Sequence, residues 1–455
     1  MDRASTHRIA DPEVRWKNFR CFRDTGWLII RPLTVLIGAN NSGKTSVIDP
    51  LLLLNQTFTS RDATTSLVTR GSLIDEGTFG DLVFNHKSHL NVFLGLRFHT
   101  HEPRKSIEEV GTYPPGALEL AFGASETPQT CVLKKYSVQD IYKRPYLERS
   151  RLQSGRYTLN GIRTGKLRAT ERRALEASRP VNFLFAPAKE LSMFQKPIEP
   201  DTILKTNFSD QFTIYLAIIS YVFNALGSIF SSLSYIGPIR ERPKRYYEAL
   251  GETQETVGPT GEHAPNLLRL RYDEIHEKLK YWVRRFEMGQ DLRVKNLSDD
   301  IFEINFISKA PRPITNIADA GFGASQVLPL IVQAVAAEPG SLTIAEQPEI
   351  HLNPRLQCLL ADLFVEMANA EHRVIVETHS EHLLLRLRRL VAIGKIRQED
   401  VAVYFVERNE GKGESNIRKV PIQGNGHIEP ADWPVGFFGE TLRESLALAA
   451  AQARK

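Results

Sequence analysis

Apolar and polar positions along the chain follow two periods. Residues 14–30, "VRWKNFRCFRDTGWLII", alternate every second position, break at a polar turn and resume, which predicts a strand, a turn and a second strand. Residues 33–48, "LTVLIGANNSGKTSVI", read as an apolar strand ending at Ile37, a glycine-rich turn and an apolar helix. Further β structure is expected in residues 77–98, "GTFGDLVFNHKSHLNVFLGLRF". Residues 212–230, "FTIYLAIISYVFNALGSIF", form an apolar run close to membrane-span length. Asn224, Gly227 and several hydroxyls interrupt it, and it lacks a flanking basic cluster on one side, so it is read as a buried helix. Three features then follow closely. Residues 318–335, "ADAGFGASQVLPLIVQAV", are a small-residue turn opening an apolar helix. Residues 341–354, "SLTIAEQPEIHLNP", are a short buried strand with an acidic end. Residues 373–384, "RVIVETHSEHLL", are a second apolar strand ending near His379. The tail 401–423, "VAVYFVERNEGKGESNIRKVPIQ", reads as a β-hairpin.

A chain of 455 residues that is 42% apolar can bury a large core in two or three domains. Cys21, Cys131 and Cys358 lie far apart and match no metal spacing, so they read as free thiols in a reducing compartment. The N-terminal residues are polar and hold no apolar signal core, and the expectation is a cytoplasmic protein with no membrane segment. Net charge is only +5, but residues 134–173 hold twelve Lys/Arg against three Asp/Glu, leaving about −4 elsewhere. Tyr136, Tyr142, Tyr146 and Tyr157 are interleaved there. Two readings fit: a solvated charged face, or a duplex-DNA surface in which cations meet phosphates and tyrosines stack on bases. Arg240, Arg242, Lys244 and Arg245 form a second basic cluster.

The strongest chemical signal is Gly38–Thr45, which fits G-x-x-x-x-G-K-[ST] between a strand and a helix. Glycines let backbone N–H groups turn inward around phosphate oxygens, and the helix offers its positive end to the same anion. Gly38, Asn40, Asn41, Ser42, Gly43, Lys44, Thr45 and Ser46 are the expected nucleotide-binding set. Lys44 would reach the β/γ-phosphates of ATP and Thr45 would ligate Mg²⁺. Glu346 lies about 300 residues later, a gap that points to one core split by a large insertion.

The order of phosphate loop, glycine-rich turn, acidic strand and histidine resembles that of ABC-type ATPase heads. "NFRCF", "IGANNSGKTS", "EQPEIHLNP" and "VETHSEHLL" resemble the SMC/RecF/OLD-like group of AAA-type ATPases. "YIGPIRERPKRYYE" (235–248) and "WPVGFFGETL" (433–442) resemble a subgroup of bacterial ATPases of unassigned function often found among anti-phage defence genes. The resemblance covers about residues 12–135 and 233–445. It implies an α/β fold: an ABC-type phosphate-loop head with a mixed sheet flanked by helices, an antiparallel β subdomain and an inserted, mainly helical arm. The expected divisions are 1–135, the arm 136–232, and 233–455. By resemblance Glu346 takes the place of the Mg²⁺-associated carboxylate, Gln347 that of the catalytic base and His379 that of the histidine sensing the γ-phosphate. Glu349–Pro354 resembles the D-loop. Gly321, Gly323, Ser325 and Gln326 resemble the signature turn, which caps the ATP of a partner subunit. Gln56 reads as a Q-loop residue or as an ordinary helix-end glutamine; His351 and His382 read as structural.

A neutral amide at residue 347 can orient water but cannot take its proton, and loss of a general base costs about 10²–10⁴ in rate. The implied function is a slowly hydrolysing ATPase acting as an ATP-gated homodimer, or a higher oligomer, in anti-phage defence or DNA maintenance. It would control a separate effector, a nuclease of HNH or Toprim type. The rival chemistry has Glu349 or Glu346 as base with ordinary turnover. The rival functions are a RecF-like DNA-repair ATPase and a nucleotide-binding scaffold without meaningful hydrolysis.

Overall fold

The sheet carrying the phosphate loop has six strands in the order Leu233–Ile236, Leu342–Glu346, Arg373–Glu377, Leu33–Gly38, Val401–Asn409 and Glu414–Lys419. In the computed structural model, which describes residues 11–62, 64–98, 115–125, 131–161, 166–185, 209–251, 254–309, 314–409, 411–433, 447–448 and 452, the first five run parallel. Their apolar runs are buried almost without a break, as expected of strands covered on both faces. Val35, Ile37, Val374, Val376 and Val403 share one core with Leu328 and Ile331 of helix Phe322–Ala336, Leu360 and Phe364 of helix Pro354–Asn369, and Leu383 and Leu387 of helix Glu381–Ala392. Asn353 caps the second of these, its side chain accepting from Leu356 N–H, and Pro354 follows where a missing N–H costs nothing. Ser380 caps the third through Leu383 N–H. A small antiparallel sheet, Tyr247–Glu248, Ile301–Ile307, Asp291–Asn296 and Ile314–Asn316, joins the same unit with helix Ala264–Arg285. This unit comprises residues 31–45, 232–408 and 416–455.

The second unit comprises residues 1–30, 46–231 and 409–415. It is built on an eight-stranded antiparallel sheet ordered Phe22–Asp24, Glu13–Phe19, Val92–Arg97, Pro115–Ala124, Cys131–Asp140, Pro145–Ser150 and Asn160–Gly161, with Leu28–Ile29 beside Glu13–Phe19. The alternation in residues 13–19 is physical: Val14 and Trp16 are buried, while Arg15 and Lys17 are not. Trp16 is fully buried, and its indole Nε1–H donates to Val47 O at 2.9 Å. Helix Asp210–Phe230 is long and apolar enough to cross a membrane, but half of that window is buried. Ser209 caps it, and Glu171 accepts from Ser209 N–H and Oγ–H. At its other end Phe58 packs on Phe223 and Phe230, and Asn55 donates to Phe230 O.

Two expectations differ from what is observed. The boundary at 135/136 falls inside strand Cys131–Asp140. The described residues of 136–232 hold helices Ala169–Ala177 and Asp210–Phe230, preceded by strand residues that continue the antiparallel sheet to Gly161. Residues 77–98 give one strand, Val92–Arg97, preceded by two short helical turns. Thr78 and Asp81 start the first, Asp81 Oδ2 accepting from Thr78 N–H and Oγ1–H.

Candidate functional site

The loop after Ile37 is shaped by backbone that only particular residues tolerate. Gly38 has φ +156, and a Cβ there would lie 2.2 Å from Val406 O, so no other residue fits. Asn41 (φ 58) and Gly43 (φ 100) complete the turn. Asn40 and Asn41 are exposed. Ser42 is buried and its Oγ has no hydrogen-bond partner. Lys44, also buried, donates from Nζ to Ala39 O at 2.8 Å and Gly38 O at 3.1 Å. Burial pushes its pKa down, opposed by the attraction of Glu377 and Glu349. Thr45 and Ser46 open helix Thr45–Phe58, a short first turn away.

Parallel pairing sets the carboxylates in register at the C-terminal edge of the sheet, where open α/β sheets bind ligands. Glu346 pairs with Glu377, and Glu377 pairs with Leu36 of the phosphate-loop strand. Glu346 Oε1 accepts from Tyr235 Oη–H at 3.1 Å, and its main-chain O accepts from Arg240 Nη2 at 3.2 Å. Glu377, fully buried, accepts on Oε2 from Thr45 Oγ1–H at 2.9 Å. Burial pushes the Glu377 carboxyl up, Lys44 and the Thr45 hydrogen bond pull it back, and Glu349 adds to the rise. Gln347 sits at φ 42 with its N–H on Glu377 O at 2.8 Å.

The loops beyond the two strands are tied together. Glu349 Oε1 accepts from His379 N–H at 2.6 Å; burial raises the Glu349 pKa, and that hydrogen bond opposes the rise. Burial and then Lys44 lower the His379 pKa, so its imidazole favours the neutral form. Arg240 is buried with Nε and Nη1 unpartnered; burial lowers its pKa to about 10 against the pull of Glu349. Among the described residues no cluster of three His, Cys, Asp or Glu is arranged to hold a metal by itself. A Mg²⁺ site that draws most of its oxygens from phosphates and water needs no such cluster. The orphaned Ser42 Oγ, the Cβ-free approach at Gly38 and the hard oxygens of Thr45 and Glu377 therefore fit a Mg-nucleotide.

The structure thus brings Lys44, Thr45, Gln347, Glu349 and His379 together, with Glu346 bonded to Tyr235 and Arg240. Sequence reasoning gave Glu377 no role, although it ends an apolar strand just as Glu346 does. Gly323 faces the backbone of the loop after strand Leu342–Glu346, a Cβ there meeting His351 O at 3.1 Å. The Ser325 side chain and residues 434–442 of the C-terminal motif lie outside the described residues. Gln56 is structural: its Nε2 donates to Val68 O and its Oε1 accepts from Ile74 N–H. The basic segment is also partly structural. Tyr136 and Tyr157 are buried, and Arg149 is buried over the Phe185 ring, bonded to Leu175 O and Ser178 Oγ. Arg156, Lys166, Arg168, Arg172 and Arg173 are exposed, and Arg163 lies outside the described residues.

Five parallel strands, with the phosphate-loop strand next to the one ending in Glu377 and one removed from the one ending in Glu346, form an ABC-type phosphate-loop ATPase head. The chain belongs to the AAA ATPase domain family, whose model matches residues 13–153 and 201–384. Residues 396–448 match a second family, described as a protein of unknown function (DUF3696). No curated protein matches the chain. Solved structures that resemble it include an SMC head bound to the C-terminal winged-helix domain of ScpA, at 12% identity and TM-score 0.41, covering 91% of this chain and 98% of that one. An SMC head domain from Thermotoga maritima overlaps at 12% identity and TM-score 0.38, covering 91% and 99%. An SMC head with an extended coiled coil, bound to the C-terminal domain of ScpA derived from Pyrococcus furiosus, gives 12%, 0.39, 98% and 100%.

Proposed function

We propose that this AAA ATPase is a slowly hydrolysing, ATP-gated dimeric switch that controls a separate effector, a nuclease, in anti-phage defence or DNA maintenance. One observation carries the slow-switch reading: residue 347, next to the acidic strand end and bonded through its main-chain N–H to Glu377 O, carries an amide rather than a carboxylate. In this reading the loop N–H groups and Lys44 hold the phosphates, Thr45 and a strand-end carboxylate hold Mg²⁺, and His379 senses the γ-phosphate. Bound Mg²⁺ supplies charge neutralisation at the phosphate oxygens. Gln347 positions water without removing its proton, so closure outlasts a fast enzyme's cycle. The turn at Gly323 and Ser325 caps the nucleotide of a second subunit. Exposed cations of 134–173, without Arg149, offer a surface for duplex DNA.

The second reading, ordinary turnover, is favoured by Glu349, a buried carboxylate with a raised pKa that lies within the field of Lys44. Light scattering with a non-hydrolysable ATP analogue tests the switch: a dimer should form with nucleotide and dissociate without it, and a strict monomer in all nucleotide states overturns it. Co-purification from the native operon with and without ATP tests the effector. DNA cleavage by the purified chain alone would show that no separate nuclease is needed.

A further inference from the structure

We propose that Arg240 is a phosphate-binding residue of the nucleotide site, whose buried guanidinium donates through Nε and Nη1 to the terminal phosphate of ATP and so sets a preference for ATP over ADP. The inference rests on the nucleotide-site reading above and adds a residue to it.

The first argument is what the guanidinium lacks. Arg240 is 5% exposed, and its Nη2 donates to the main-chain O of Glu346 at 3.2 Å. Nε and Nη1, which carry most of the guanidinium's N–H donors, meet no acceptor. Glu349 attracts the charge, yet no hydrogen bond joins the two side chains. A buried cation is costly unless its donors are met, and bracing one carbonyl needs only one N–H. The unmet donors mark the place of an anion that arrives with the ligand.

The second argument is position. Strand Leu233–Ile236 runs parallel to strand Leu342–Glu346, so the loop holding Arg240 leaves the sheet at the same edge as the phosphate loop. Gly237 N–H donates to Pro259 O and Glu241 N–H to Thr260 O, each at 2.8 Å, which braces that loop on both sides of Arg240. The bond to Glu346 O then holds the guanidinium at the end of the acidic strand. Strand Arg373–Glu377 lies between that strand and the phosphate-loop strand. Arg240 thus stands across the site from the phosphate loop. The loop N–H groups and Lys44 meet the phosphates nearest the loop. The terminal phosphate, farthest along the chain, is left for a donor on the far side.

The chemistry fits that task. A guanidinium stays charged, and its planar array of donors matches phosphate oxygens. Once the terminal phosphate departs, the same donors are again buried without acceptors, so the penalty falls on the ADP state and not on the ATP state.

The test is equilibrium dialysis of a non-hydrolysable ATP analogue and of ADP, in MgCl2, with wild type, Arg240→Met, Arg240→Lys and Lys44→Ala. Arg240→Met should lower analogue affinity by about 10- to 100-fold, the scale of a hydrogen bond to a charged group, and leave ADP affinity unchanged. The ratio of the two affinities is the deciding readout, because a residue that only braces the strand end would lower the nucleotide-free unfolding midpoint and leave the ratio as it is. An unchanged ratio, whether both affinities fall together or neither falls, overturns the proposal. Should Arg240→Met not fold, Arg240→Lys, which keeps the charge without the planar donors, must weaken the analogue relative to ADP for the proposal to stand. Failure of the nucleotide reading looks different: Lys44→Ala would then bind both nucleotides as wild type does.

Discussion

Replacing Gln347 by glutamate puts a second carboxylate next to Glu377, whose main-chain O already accepts from the residue 347 N–H. Two unit charges about 4 Å apart at an effective dielectric near 20 repel by about 4 kcal/mol. Residue 347 is partly exposed, which trims the repulsion to about 2 kcal/mol. The nucleotide-free variant should therefore unfold more easily by about 2 kcal/mol, and the exchanged pair Gln347→Glu/Glu377→Gln should recover most of that loss. A thermal-unfolding double-mutant cycle reads this coupling. Turnover should move the other way. A base worth about 10²–10⁴ arrives where water is positioned, and the like-charge contact keeps the gain near the lower end. Single-turnover phosphate release measures it. If Gln347→Glu is no faster while Glu349→Gln abolishes turnover, the attacking water stands at Glu349 and the slow-switch reasoning fails. If the cycle shows no coupling, a carboxylate at 347 does not interact with Glu377.

Lys44→Ala removes the cation held on the loop carbonyls and should lower nucleotide affinity by about 10- to 100-fold, the scale of a charge-assisted bond; equilibrium dialysis with unchanged affinity would sink the phosphate-loop assignment. Arg156→Ala, Arg168→Ala and Arg173→Ala together should weaken duplex-DNA binding and flatten its salt dependence without changing the unfolding midpoint; equal binding by variant and wild type assigns these side chains to a solvated face. Arg149→Ala should instead destabilise the protein by about 3 kcal/mol, because it strips buried partners at Leu175 O and Ser178; a wild-type unfolding midpoint with reduced DNA binding would contradict its burial.

The phosphate loop was legible in sequence because its causes are local. Glycine at 38 and 43, an apolar strand before and a helix after leave few backbone paths. The acidic end of strand Leu342–Glu346 is an equally short-range signal. Hydrophobic alternation in residues 13–19 likewise predicted which side chains enter the core.

Partnership across the chain was not legible. Thr45 and Glu377 stand 332 residues apart in sequence and 2.9 Å apart in space, and only the strand order puts the second acidic end beside the loop. Composition marked Arg149 as one cation among twelve, yet its fate was set by Leu175 O, Ser178 and Phe185, all supplied by later elements that fold over it. A charge count cannot distinguish a solvated guanidinium from a buried one, since burial depends on what packs above it. The sequence by itself determined that a phosphate-binding turn would form and that a strand would end at Glu346. The tertiary structure decided which carboxylate faces Thr45, because parallel register converts equivalent strand ends into unequal distances from the loop.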